Sequence, residues 1–229
     1  MAVWDDVISE SDKEIYRKCG YGGEKGPNFG KKLALLIIDI THDFVGDKPE
    51  PILKSIERFP LSCGEKGWEA IYLIASLLPL ARGGGVPMFY SVAERGLPAE
   101  WMERNPRSGE AIKNEVGNNI PKEIIPAKTD YVIHKIGSSI FHGTPLINVL
   151  TPLQIDTLLC CGTVTSGCVR ASIIDADTLG FKVNIIEECT FDRGEVSHKV
   201  NLFDMNAKYG SVISITTVKD YLSKLPGKA

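Results

Sequence analysis

Three reactive side chains stand where apolar segments of the chain end. Asp39 closes one apolar run, Lys135 closes a second, shorter one, and Cys168 follows a third after a small turn. In a parallel sheet the carboxyl ends of the strands meet at one edge, and active sites of such folds lie there. A carboxylate, an ammonium group and a thiol that converge at this edge can carry out nucleophilic catalysis through the sulfur atom.

The turn before Cys168 distinguishes it from the other five cysteines. Residues 162–167 read GTVTSG, and a helix is predicted to begin at about residue 168. Amide groups at a helix N-terminus stabilise anions, which predicts a lowered thiol pKa and a possible oxyanion hole. Taken singly, each reactive residue has a simpler interpretation: a turn-forming Asp, a solvated Lys and a small core Cys. Cys160 and Cys161 lie inside an apolar strand and are interpreted as core residues.

The histidines and cysteines predict neither a metal site nor a cofactor. The four histidines are dispersed, and the chain contains no H-x-H, H-E-x-x-H or C-x-x-C pattern. A Cys-His dyad of Cys168 with His134 or His142 remains open. His42 follows the strand that ends in Asp39 and is expected to line the pocket.

Predicted strands and helices alternate along the chain. Strands are expected at 33–39, 86–92, 131–134, 155–161, 181–186 and 212–215. Helices are expected at 67–82, 146–150, 168–179, 196–208 and 218–225. The alternation predicts a doubly wound α/β fold, a three-layer sandwich around a mostly parallel sheet of about six strands.

The remaining segments complete a single expected domain over residues 1–229. Residues 1–30 form a glycine-punctuated arm that is expected to pack on the domain or on a neighbouring subunit. Residues 93–127 show no clean periodicity, which predicts a loop with a short helix. The glycines of the arm precede the first strand, so they do not form a dinucleotide-binding loop.

Composition excludes several classes of partner. The chain has 26 basic and 29 acidic residues and a net charge of −3, which gives no electrostatic reason to bind nucleic acid or an anionic membrane. No apolar run reaches the length of a bilayer span, and the first residues are polar, unlike a signal peptide. Six cysteines without a secretion signal predict free thiols in the cytoplasm.

Three blocks of the chain resemble the isochorismatase-like cysteine hydrolase superfamily. They are LLIIDITHDF at 35–44, KIGSSIFHGTPLINVL at 135–150 and GTVTSGCVRASIID at 162–175. Within the superfamily, the chain is most similar to the N-carbamoylsarcosine amidase and maleamate amidase group. That similarity rests on residues 3–8 and 21–23, on the pair Asp192-Arg193 and on residues 198–209.

The resemblance implies a role for each motif residue. Asp39, Lys135 and Cys168 match the catalytic residues of the superfamily. The bond between Thr163 and Val164 is expected to be cis, and the amides of Val164 and Cys168 to form the oxyanion hole. The residue that matches Arg193 holds a substrate carboxylate in that group. Position alone would favour a surface ion pair of Arg193 with Asp192 or Glu195.

The resemblance extends to the rest of the substrate site. Thr165, Phe44 and His42 are expected to contact a small-molecule substrate, without a cofactor, in a homo-oligomer, expected to be a tetramer. Residues 93–125 depart from the group, and Ile140 replaces a more usual Ala, so both regions are expected to line the pocket. Residues 91–95 lack the metal motif of nicotinamidases, and the presence of Cys168 disfavours isochorismatase chemistry.

Together these features predict a cysteine amidohydrolase that releases ammonia from a small amide or N-carbamoyl compound bearing a carboxylate. The reaction is expected to pass through a thioester on Cys168. Other small amides, such as maleamate, biuret or a ureide, are the alternative substrates. A non-catalytic binding protein of the same fold and a redox protein that uses Cys168 are the alternative classes.

Overall fold

The computed structural model describes residues 2–22, 25–97, 100 and 116–227. Its six strands are β1 (Leu33–Ile38), β2 (Met88–Ala93), β3 (Tyr131–Lys135), β4 (Thr157–Thr163), β5 (Lys182–Phe191) and β6 (Ser211–Ile213). They form one sheet in the order β3-β2-β1-β4-β5-β6, and every neighbouring pair is parallel. The predicted α/β fold with a six-stranded sheet is therefore confirmed.

Eight α-helices are assigned within the described residues. They are α1 (Glu10–Lys18), α2 (His42–Val45), α3 (Ile52–Ser55), α4 (Glu65–Gly83), α5 (Leu146–Leu150), α6 (Arg170–Thr178), α7 (Glu195–Lys208) and α8 (Ile215–Leu222). A 3₁₀ turn covers Lys122–Ile124 and a π-helical turn covers Thr165–Val169. None of the described helices is long and apolar enough to cross a bilayer.

The central strand β1 is apolar throughout because helices cover both faces of the sheet. Leu35 and Ile37 belong to a core that includes side chains of α4 and α8. Leu36 and Ile38 belong to a second core, built with α5, α6 and α7. Alternate side chains of a strand point to opposite faces, so a strand buried on both sides loses the usual polar alternation.

The N-terminal arm packs on the domain itself and contains a helix that the sequence analysis did not predict. Ser9 caps α1, its hydroxyl accepting a hydrogen bond from the amide of Asp12 at 3.1 Å. The rings of Trp4 and Tyr16 meet Phe203 of α7 edge-on, with centroids 6.0 and 4.9 Å apart. The helix escaped prediction because it buries none of its residues, which leaves no apolar stripe to recognise.

Two predicted boundaries at the carboxyl edge of the sheet are wrong. Strand β5 continues to Phe191, five residues beyond its predicted end, after a register shift against β4. The acidic pair Glu187-Glu188 interrupts the apolar pattern, although the backbone continues the strand. The helix after Cys168 begins at Arg170, because the π-helical turn occupies the preceding residues. Of the region 93–127, residues 98, 99 and 101–115 lie outside the described part of the chain.

Candidate active site

The structure brings Asp39, Lys135 and Cys168 together at the carboxyl edge of the sheet. The ammonium nitrogen Nζ of Lys135 lies 2.7 Å from Oδ2 of Asp39 and 3.5 Å from Sγ of Cys168. It also donates a hydrogen bond to the carbonyl oxygen of Gly137 at 3.0 Å. Asp39 and Lys135 are only 4% and 6% exposed. A buried cation therefore contacts both the carboxylate of Asp39 and the thiol of Cys168.

Lys135 reaches Asp39 across an intervening strand. Strand β2 lies between β3 and β1, and Ala93 of β2 pairs with Lys135 in the register. The residue two positions earlier in β2 is Ser91, which pairs with Ile133 and so lies on the same face as Lys135. Alanine and serine are small, so the lysine side chain can cross β2 at this point.

Asp39 leaves the strand geometry directly after β1. Its φ angle is +53°, in the left-handed region that residues other than glycine rarely adopt. Ile38 faces the core formed with α5 to α7, so continued alternation would direct Asp39 to the opposite face. The change in backbone direction instead brings the carboxylate to the face that carries Lys135.

Gly162 allows β4 to pass close to the end of β1. A Cβ atom built on Gly162 would lie 2.1 Å from the carbonyl oxygen of Ile38, and the φ angle of the glycine is +120°. Both the conformation and the space therefore require glycine. This approach places the turn that carries Cys168 beside Asp39.

Residues 163–169 form a compact turn around the carbonyl oxygen of Val164. The peptide bond between Thr163 and Val164 is cis. The carbonyl oxygen of Val164 accepts hydrogen bonds from the amides of Gly167 at 2.9 Å and Val169 at 3.3 Å. π-Helical turns of this kind occur frequently at functional sites. The turn presents Cys168 partly exposed, whereas Cys160 and Cys161 are fully buried.

Side chains outside the turn hold it in place. The carboxylate of Asp192 accepts hydrogen bonds from the amide and the hydroxyl of Ser166, at 2.8 and 2.7 Å. The hydroxyl of Ser172 donates to the carbonyl oxygen of Cys168 at 2.7 Å. The fully buried Thr165 has its Oγ1 2.7 Å from Nδ1 of His198 on α7. Burial lowers the pKa of His198, which keeps the imidazole neutral at pH 7.

The thiol of Cys168 is protonated at rest, and the prediction of a lowered pKa is wrong. Burial, followed by the charge of Asp39, raises the pKa of Cys168 to about 12, although Lys135 acts in the opposite direction. Burial alone would lower the pKa of Lys135, but Asp39 and Cys168 outweigh it and raise the value. The lysine is therefore a permanent cation, and formation of the thiolate requires an acceptor for the proton.

Two of the predicted substrate-binding residues lie together at the surface. The guanidinium carbon of Arg193 lies 5.8 Å from the ring centroid of Phe44, and one guanidinium nitrogen donates to the carbonyl oxygen of Leu61. No carboxylate pairs with this guanidinium among the residues that the structure describes. Asp192 instead accepts from the backbone amide of Arg193, and Glu195 pairs with Lys199. The alternative interpretation, a surface ion pair, is thus not observed.

The structure does not bring His42 to the three central residues. Its Nδ1 lies 2.8 Å from the carbonyl oxygen of Gly46, and the ring lines an open groove beside Trp68 and Tyr72 of α4. His134 lines the same groove and is exposed. In the described part of the chain, no histidine hydrogen-bonds to the thiol of Cys168, and a Cys-His dyad is not formed.

Ile140 does not line a pocket, contrary to expectation. Its side chain is fully buried in the core formed with α5 to α7, and its amide donates to the hydroxyl of Ser172 at 3.0 Å. Ile140 is therefore part of the hydrophobic core. No group of three or more His, Cys, Asp or Glu side chains suitable for a metal ion is found in the described ranges.

Ser91 is a neighbour of the site that the sequence analysis missed. Its hydroxyl donates to Oδ1 of Asp39 at 2.7 Å and accepts from the amide of Asp39 at 3.0 Å. A serine near the end of an otherwise apolar strand was the available signal. Its partner was not deducible, because strand pairing is decided by the tertiary structure.

A comparison with family models identifies the protein family. The model of the isochorismatase domain family matches residues 33–217, and the chain belongs to that family. The matched range includes Asp39, Lys135, Cys168 and Arg193, and the predicted family resemblance is confirmed.

Two of the relatives are amidases by name. The chain is 31% identical to an N-carbamoylsarcosine amidase from Arthrobacter sp., over 98% of this chain and 83% of that protein. It is 28% identical to a maleamate amidohydrolase from Pseudomonas putida, over 87% of this chain and 91% of that protein. A solved isochorismatase family protein from Desulfovibrio vulgaris superposes with a TM-score of 0.71 at 27% identity, over 85% and 100% of the two chains.

Proposed function

We propose that this protein is a cysteine amidohydrolase that releases ammonia from a small amide or N-carbamoyl compound bearing a carboxylate. The observation that carries the proposal is the position of Lys135, whose ammonium nitrogen contacts both Asp39 and Cys168. A buried cation between a carboxylate and a thiol keeps the carboxylate ionised and stabilises negative charge that develops on sulfur. The amidases among the relatives support the same chemistry.

The first half of the proposed reaction forms a thioester. Because burial and Asp39 raise the pKa of Cys168 to about 12, the thiol must lose its proton as it attacks. Asp39 accepts that proton while the sulfur bonds to the carbonyl carbon. The carbonyl oxygen becomes an oxyanion, for which the amides of Val164 and Cys168 are the proposed donors. The C–N bond then breaks, and Asp39 returns the proton to the departing nitrogen as ammonia leaves.

The second half hydrolyses the thioester. A water molecule attacks the acyl or carbamoyl carbon while Asp39 again accepts a proton. The C–S bond breaks and the sulfur regains a proton, which restores the resting thiol. Lys135 stays charged throughout, because its two partners raise its pKa against the effect of burial.

Arg193 is the proposed anchor for the substrate carboxylate. Its guanidinium lies over Phe44 without a carboxylate partner among the described residues, and planar guanidinium groups bind carboxylates at two points. The observed hydrogen bond to the carbonyl oxygen of Leu61 leaves further donors on the same group. Small amides that carry an acid group are therefore the proposed substrates, among them N-carbamoylsarcosine and maleamate.

The substrate class is tested with an acid and its neutral analogue. Ammonia release from N-carbamoylsarcosine and from N,N-dimethylurea, which lacks the carboxylate, is measured for the wild type and for Arg193→Ala. Loss of a charge-assisted pair should lower kcat/KM for the acid roughly ten- to a hundredfold, mainly through KM. The neutral urea should be affected little. Arg193→Lys should restore part of the loss, since an ammonium lacks the planar fork.

The control replaces another exposed arginine far from the site. Arg17 on α1 pairs with Glu14, and Arg17→Ala should leave both substrates unaffected. Equal losses on the acid and the neutral analogue, or no loss on either, would exclude Arg193 from substrate binding and favour neutral amides or ureas. Absence of ammonia release by the wild type from every carboxylate-bearing amide in a panel would contradict the proposed activity itself.

A further inference from the structure

The hydroxyl of Ser91 is enclosed between the backbone and the side chain of Asp39. It accepts the amide proton of Asp39 at 3.0 Å and donates to Oδ1 of the same residue at 2.7 Å. Ser91 is 1% exposed, so water does not compete for either bond. Since the oxygen already accepts the amide proton, the hydroxyl proton is directed to the carboxylate.

We propose that Ser91 is a positioning residue for the proton transfer carried out by Asp39, a role that rests on the function proposed above. The serine fixes Oδ1, so that Oδ2 stays directed at the ammonium group of Lys135. Asp39 is thereby held in the orientation that acceptance of the thiol proton requires.

The surroundings of Asp39 explain why such a residue is needed. Asp39 lies just beyond β1 with a φ angle of +53°, so the strand ladder no longer fixes its direction. The charged or titratable groups that face its carboxylate are Lys135 from β3 and Cys168 from the π-helical turn. Strand β2 contributes Ser91, an uncharged donor whose hydroxyl does not ionise near neutral pH. Without the bond from Ser91 to Oδ1, the carboxylate could rotate while Oδ2 stays bonded to Lys135.

The size of Ser91 serves the same arrangement. The lysine crosses β2 to reach Asp39, and the register places Ser91 two positions before the residue that pairs with Lys135. A side chain as large as leucine on this face would obstruct the ammonium group. Threonine keeps the hydroxyl with one added methyl group, and valine has the shape of threonine without the hydroxyl. Comparing these two replacements therefore separates the effect of losing the hydrogen bond from the effect of added side-chain volume.

The test compares Ser91→Thr, Ser91→Val and Ser91→Ala with the wild type. Variants without the hydroxyl should lose kcat roughly ten- to a hundredfold at unchanged KM, the effect of one lost hydrogen bond to a charged group. Ser91→Thr should recover most of the rate, because it keeps the hydroxyl that bonds Oδ1 of Asp39.

A second readout does not depend on the substrate. Iodoacetamide alkylates Cys168, and the rate is followed by mass spectrometry in a Cys19→Ser background, which removes the exposed thiol. The pH profile of alkylation should shift in Ser91→Val, because the charge of Asp39, which contributes to the raised pKa of Cys168, is no longer held in place. Ser91→Thr should match the background protein. The control is Thr157→Val, which removes a fully buried hydroxyl bonded to Asp156 at the amino end of β4, the end opposite to Cys168.

The outcomes separate this inference from the proposed function. Identical alkylation profiles for Ser91→Thr and Ser91→Val would overturn the role of Ser91, whether or not a substrate is known. The same holds if all Ser91 variants lose only thermal stability, as Thr157→Val should. Shifted alkylation profiles together with no ammonia release by the wild type would support the positioning of Asp39 by Ser91 and would contradict the amidase activity.

Discussion

At the scale of the residue, the resting state of Cys168 determines how the site can work. Burial and the charge of Asp39 raise the pKa of its thiol to about 12, so the sulfur is neutral at pH 7. The nearby cation lowers the pKa by less than these two effects raise it. In the proposed mechanism, attack on a carbonyl is therefore coupled to proton transfer, and Asp39 is the proposed proton acceptor.

This resting state predicts the ultraviolet absorbance of the protein. A group with a raised pKa keeps its proton at every pH below that value, so no thiolate should form at Cys168 near neutrality. The difference in absorbance at about 240 nm between the wild type and Cys168→Ala should stay flat from about pH 6 to 9. A thiolate step below about pH 8 that Cys168→Ala abolishes would show instead a preformed ion pair with Lys135.

The roles of these residues were only partly predictable from the sequence. The candidates Asp39, Lys135 and Cys168 followed from the places where apolar runs end. The direction of the Cys168 pKa shift did not, because burial of the thiol arises from the packing of segments distant in sequence. The hydroxyl of Ser91 contacts Asp39 through the pairing of β1 and β2, which local sequence does not encode.

At the scale of the element, close contact between β1 and β4 positions the turn at residues 163–169, which carries Cys168. Gly162 has a φ angle of +120°, and an added Cβ would meet the backbone of Ile38 at 2.1 Å. Both strands are fully buried at this point, so neither can move aside without disturbing the sheet. The turn that begins at Thr163 is thus fixed relative to Asp39.

Gly162→Ala should cost more stability than a matched glycine replacement elsewhere. Gly180 also has a positive φ, +85°, but no atom lies within 4 Å of its added Cβ. Gly180→Ala should lose about 1–2 kcal/mol of unfolding free energy from the backbone conformation alone, and Gly162→Ala about 2 kcal/mol more from the clash. Urea unfolding measures the two losses of unfolding free energy, provided that the m-value is the same in both variants. Equal losses would mean that the approach of β4 to β1 is not constrained.

Long apolar segments were predicted well because burial on both faces leaves a clear pattern. The predicted strands and the longer helices all occur, with boundaries shifted by a few residues. The short helices α2 and α3 and the polar helix α1 gave no apolar periodicity to detect. The π-helical turn was missed because its geometry depends on Gly167, whose backbone departs from helical angles, and on contacts with Asp192.

At the scale of the whole molecule, parallel strands bring residues from distant parts of the chain together at the site. Asp39 follows β1, Lys135 ends β3 and Cys168 follows β4. Arg193 lies just beyond β5. All four therefore lie toward one edge of the sheet, as the topology of doubly wound folds dictates. The family match over residues 33–217 covers these strands, whereas the arm that packs on α7 precedes it.

The central claim is that Cys168 is the nucleophile of an amidase, and ammonia release by single cysteine variants tests it most directly. Cys168→Ala is compared with Cys160→Ala, which removes a fully buried thiol from the same strand-and-turn region, at equal concentrations of folded protein. With N-carbamoylsarcosine and maleamate as substrates, Cys168→Ala should fall to the rate without enzyme, while Cys160→Ala keeps most of the wild-type rate. Turnover by Cys168→Ala comparable to that of Cys160→Ala would contradict the account.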